Sequence, residues 1–111
     1  MKYNKTQSET QAINEGRIIT MACYKAKNCA LAEHIANYNG VKYKFEQSES
    51  PTGKGIFIFY FYPDTYYKAF RIGSMAERPE LYEEEVNKLV ATWEKKFQSL
   101  VVEKKPFEED S

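Results

Sequence analysis

From Tyr82 to Leu100 the apolar residues Tyr82, Val86, Leu89, Val90, Trp93, Phe97 and Leu100 recur at steps of three and four. That spacing lines side chains up along one stripe of an α-helix and scatters them over both faces of a strand. A stripe this long has to lie on something apolar, so the rest of the chain must build a surface to receive it. Pro79 suits a first helical turn, and Ser74 with Glu77 has the spacing of a capping box. Glu80, Glu83, Glu84 and Glu85 crowd the positive end of the helix dipole, while Lys95 and Lys96 lie toward its negative end. Each stripe residue buried contributes about 1.5–3 kcal/mol.

The receiving surface is readable as strands. Val41-Lys42-Tyr43-Lys44-Phe45-Glu46 alternates apolar and polar residues, which places Val41, Tyr43 and Phe45 on one face of a half-buried strand. The run Ile56-Phe57-Ile58-Phe59-Tyr60-Phe61-Tyr62 follows a turn-rich stretch, Ser48 to Gly55, that contains Pro51 and Gly53. The two runs predict an antiparallel hairpin. Upstream, Ile18 to Tyr24 reads as a first strand. Leu31, Ile35 and Tyr38 then predict a helix that starts at an Asn28 cap and stops at Asn39-Gly40. Downstream, Pro63 ends the aromatic run, Asp64 offers a cap, and a short helix is expected over Thr65 to Ile72, terminated by Gly73.

The order β-α-β-β-α-α predicts an α+β fold in which helices pack on one face of a three-stranded, largely antiparallel sheet. A chain of 111 residues suits one such domain, assigned to residues 17–102. Residues 1–16 form a polar arm in which Ser8 or Thr10 could cap a short helix ending at Gly16. Residues 103–111 form a charged tail broken by Pro106, expected to be mobile. No signal-like or bilayer-length apolar run occurs, and Cys23 and Cys29 are too few for a disulfide scaffold, so a cytoplasmic protein with free thiols is expected.

Catalytic and metal chemistry find little support. His34, Cys23 and Cys29 make at most three ligands without the paired spacing of structural zinc, and Cys29 and His34 do not share a helix face. Glu83, Glu84 and Glu85 are consecutive on a helix and point in different directions. Thr52-Gly53-Lys54-Gly55 joins two strands, where a phosphate loop needs a strand before it and a helix after it. Lys54 to Phe61 overlaps the RNP1 pattern, but Ile56 and Ile58 occupy the base-stacking positions. Net charge is zero; residues 1–76 carry ten Lys/Arg against six Asp/Glu and residues 77–111 carry six against ten. A duplex-binding protein would show a basic excess. The expectation is a non-enzyme with no catalytic residue, metal or cofactor.

What stands out is the aromatic content, nine Tyr, seven Phe and one Trp. If Phe57, Phe59 and Phe61 face the helices, strand parity turns Ile56, Ile58, Tyr60 and Tyr62 outward beside Lys42 and Lys44, and of these Lys42, Lys44, Ile58, Tyr60 and Tyr62 are singled out. These five residues are the predicted binding site, a tyrosine and lysine face for a protein partner. A single-stranded nucleic acid and self-association into a homo-oligomer are the alternatives, and a covering of this face by the arm or the long helix is the plain structural one.

Leu31-Ala32, Ile35 and Gly40, then Phe59, Phe61 and Asp64, then Phe70 and Gly73, then Pro79, Tyr82, Lys88 and Leu89 give the chain a further character. In this pattern it resembles a family of small uncharacterised proteins of bacteriophages and other mobile elements. It departs from that family in a late glycine after the first helix and in Glu77-Arg78-Pro79, where the family has Asp-Pro. The resemblance implies a strand-helix-hairpin-helix-helix fold and a phage or mobile-element accessory role, and no particular activity.

Overall fold

A computed structural model of the chain describes Gln11, Ile13 and residues 17–110, of which 101–110 by backbone alone. The elements are β1 (Ile19–Cys23), α1 (Ala26–Asn39), β2 (Lys42–Glu49), β3 (Gly55–Tyr62), α2 (Tyr66–Ala76), a 3₁₀ turn (Pro79–Tyr82) and α3 (Glu83–Asp110). The predicted β-α-β-β-α-α order is the one observed. The sheet runs β1-β3-β2, with the aromatic strand in the middle and both neighbours antiparallel to it.

Register explains the core. Phe57, Phe59 and Phe61 stand opposite Cys23, Met21 and Ile19 on one side and opposite Gln47, Phe45 and Tyr43 on the other. Opposed residues share a face, so the phenylalanines point with Met21, Tyr43 and Phe45 toward the helices. Trp93 of α3 enters this layer, its ring 4.9 Å from Phe45 and 5.3 Å from both Phe57 and Phe59. Val86 and Leu100 of the stripe are buried, as are Leu31 and Ile35 of α1. Polar satisfaction accompanies the packing, because the Trp93 indole N–H donates to Glu33 Oε1 of α1 at 2.7 Å.

Several boundaries fall elsewhere than expected, each for a local reason. Helix α1 begins at Ala26 behind Lys25, which makes no side-chain cap, and Asn28 sits inside the first turn with its N–H on the Lys25 carbonyl. Gly40 does end α1, at φ 63°, in the left-handed region that glycine enters without a Cβ penalty. Thr65, in place of Asp64, caps α2, its hydroxyl accepting from the Lys68 N–H at 3.1 Å. Asp64 instead pairs with the Lys68 ammonium at 3.2 Å. Gly73 does not terminate α2, which continues to Ala76 because Met75 as well as Ile72 is buried in the core. Ser74 therefore lies within α2 and caps nothing, and Pro79 opens the 3₁₀ turn that leads into α3. The α3 backbone stays helical to Asp110, through Pro106, where a broken tail was expected. Of the arm, Gln11 and Ile13 are described and helical, and the suggested caps Ser8 and Thr10 and the stop at Gly16 lie outside the described residues.

Candidate functional site

The five predicted site residues share the sheet face away from the helices: Lys42, Lys44, Ile58, Tyr60 and Tyr62 occupy one parity of β2 and β3. An open platform is not what they form. Tyr60, its expected centre, is only 3% exposed, packed with Ile18, Ile58, Tyr62 and the arm residue Ile13 in a second small apolar cluster. Its hydroxyl donates to Glu46 Oε1 at 2.6 Å, and the Lys44 ammonium lies 5.6 Å from its ring and 5.9 Å from that of Tyr62. Ile58 and Tyr62 are half-buried, while Lys42 and Lys44 reach solvent. The covering has a simple cause. Ile13 is an apolar residue of the polar arm and Ile18 directly precedes β1, and laying both over the tyrosine face removes their surface from water.

The open aromatic surface is on α2. Tyr66 is 96% exposed, and Tyr67 and Phe70 are each 69% exposed. At 3.6 residues per turn Tyr66, Phe70 and Gly73 fall on one line, with Tyr67 beside it, diametrically across the helix from Ile72 and Met75. Burial of Ile72 and Met75 thus forces the three rings outward. Gly73 ends the row without a side chain, and a Cβ there would stand in open space. A helical projection of residues 66–76 carries this signal, because Met75, beyond Gly73, completes the inward side with Ile72.

The remaining chemistry is spare. Cys23 and Cys29 are both fully buried, and the hydrogen bond between them, followed by desolvation, pushes the Cys29 thiol well above its ordinary pKa. His34 lies between the rings of Tyr38 and Tyr82, with centroids at 5.8 and 5.5 Å, so it does not join the thiols. Among the described residues no group of three or more His, Cys, Asp or Glu is placed to hold a metal ion. Tyr43 is also raised, by burial first and by the charge of Glu33 second. Thr52-Gly53-Lys54-Gly55 belongs to the hairpin turn, closed by the Ser50 N–H on the Lys54 carbonyl at 2.9 Å, with Gly53 at φ 85°. A cavity of about 330 Å³ opens between α1 and the 3₁₀ turn, floored by Met21, Leu31 and Val86 and rimmed by Lys27, Glu80 and Glu83. It holds no nucleophile and no base with an orienting partner.

Fold and surface together define an α+β domain with a helix-covered sheet and an aromatic helix face turned to water. No family model, no curated protein and no solved structure matches the chain. No helix among the described residues is long and apolar enough to cross a membrane.

Proposed function

We propose that this chain is a non-enzymatic binding protein that engages a protein partner through the outer face of α2. The observation that carries the reading is the exposure of Tyr66, Tyr67 and Phe70 on adjacent turns of one short helix. Isolated apolar side chains on a surface are ordinary, but three neighbouring rings are costly to hold in water, and aromatic residues dominate the energetics of protein contacts. Covering each ring would contribute on the order of 1.5–3 kcal/mol. The sheet face keeps a secondary part through the solvent-exposed Lys42 and Lys44 at its rim.

A phage or mobile-element accessory role, acting on a host protein in the cytoplasm, is part of the same proposal and rests on the resemblance described above. Most residues of that resemblance have packing duties here: Leu31, Ile35, Phe59 and Phe61 are buried, and Gly40 ends a helix. Phe70 has none, which fits a part in contact.

Quantitative pull-down from host lysate with wild type, with Tyr66→Ser/Phe70→Ser and with Lys42→Ser/Lys44→Ser tests the assignment. A stoichiometric protein lost with the α2 variant and kept with the lysine variant supports it, and equal recovery by all three counts against it. Single-stranded nucleic acid also stacks on exposed rings, so labelled oligonucleotides are titrated at two salt concentrations. Tight, strongly salt-dependent binding would replace the protein partner.

A further inference from the structure

We propose that the edge of β2 away from β3 pairs with the same edge of a second copy, joining two sheets across a twofold axis at Phe45. Strand β3 is central, and among the described residues β2 is paired on one side only. The Ser50 N–H bonds the Lys54 carbonyl, which makes 50 and 54 a hydrogen-bonded pair of the hairpin. Alternation along an antiparallel ladder then directs the backbone groups of the even-numbered β2 residues at β3. Tyr43, Phe45 and Gln47 therefore turn their N–H and C=O groups to the edge away from β3.

Side chains on that edge select both the partner and the register. The outer face of β2 reads Lys42, Lys44, Glu46, Ser48 from its start to its end. Opposed residues must share a face, so an antiparallel self-pairing can shift only in steps of two. Centred on Phe45, it sets Lys44 against Glu46 of the second copy, twice, and Phe45 against Phe45. Moved one step either way, it sets Lys44 against Lys44 or Glu46 against Glu46. The Lys44–Glu46 positions are moreover non-hydrogen-bonded ones, where opposed side chains approach most closely. Both groups are already oriented by Tyr60, whose hydroxyl holds Glu46 and whose ring lies under Lys44. Phe45 itself is 40% exposed, the more open of the two aromatic side chains of β2. Edge lysines normally discourage strand association; a matching glutamate two residues on converts that defence into selection of a second copy.

Sedimentation velocity across a concentration series tests this with four proteins. Wild type should form a dimer in the micromolar range. Lys44→Glu should weaken it by about tenfold or more, and the swap Lys44→Glu/Glu46→Lys should restore it. Gln47→Pro removes an edge-facing N–H without touching the ladder to β3 and should abolish the dimer while circular dichroism remains that of wild type. Wild type that stays monomeric at 100-fold higher concentrations overturns the proposal. So does a dimer indifferent to Gln47→Pro, which would place the contact on β1 or α2.

Discussion

Replacing Trp93 by Phe tests the packing that turns the aromatic strand into a core. The indole N–H donates to the Glu33 carboxylate at 2.7 Å, and the ring fills the space between Phe45, Phe57 and Phe59. A hydrogen bond to a charged acceptor contributes about 1.5–3 kcal/mol. The smaller ring adds a void of the order of tens of Å³, which costs about 1 kcal/mol at ~24 cal/mol per Å³. The loss should therefore be about 2.5–4 kcal/mol, discounted toward the lower figure because Glu33 is partly exposed. Urea unfolding followed by far-ultraviolet circular dichroism should show a midpoint lowered by about 2 M, for an m-value of about 1.5 kcal/mol per M. Glu33→Gln alone should cost about 1 kcal/mol, and the double variant less than the sum of the two, with a coupling of about 1 kcal/mol. Strictly additive losses, or a Trp93→Phe cost below about 1 kcal/mol, would mean that the indole N–H faces water and that the reasoning fails.

Further outcomes follow from single sites. Gly40→Ala, at φ 63°, should cost about 1–2 kcal/mol and lower Tm by several degrees in calorimetry. Gly55→Ala places a Cβ 3.1 Å from Leu100 Cδ1 and should cost about 1–3 kcal/mol unless α3 shifts, again read from Tm. Tyr43 and Cys29 are both raised in the fold, so their contribution is complete below the ordinary pKa values, about 8.5 for Cys and 10 for Tyr. It is lost as pH climbs through the folded values, so urea midpoints should be flat near neutrality and fall in alkali, and Tyr43→Phe should remove the part lost above about pH 10. The two thiols should react with a disulfide reagent only on unfolding, because neither is exposed.

Much of the architecture was legible because it depends on periodicity. The stripe from Tyr82 to Leu100 and the alternation in β2 and β3 each specify a burial direction, and the hairpin register places Phe57, Phe59 and Phe61 inward as parity requires. Helix ends were less legible. Thr65 and Asp64 are both good caps, and only the backbone decides between them; Gly73 looked like a stop, yet burying Met75 outweighs a glycine's modest cost within a helix. The candidate site was half legible. Parity put Tyr60 and Tyr62 on the correct face, but parity says nothing of what lies over that face, where Ile13 of the polar arm and Ile18, just before β1, settle. The exposure of Tyr66, Tyr67 and Phe70 could have been read from a helical projection, since Ile72 and Met75 fix which side of α2 is inward.

Hydroxyl-radical footprinting of the native protein, resolved residue by residue by mass spectrometry, tests most directly where the open aromatic surface lies. Tyr66, Tyr67 and Phe70 should oxidise fastest among the rings of the described residues, and Tyr60 should be as slow as the buried Phe59. Tyr60 oxidising at the rate of Tyr66 would return the surface to the sheet and contradict the assignment to α2.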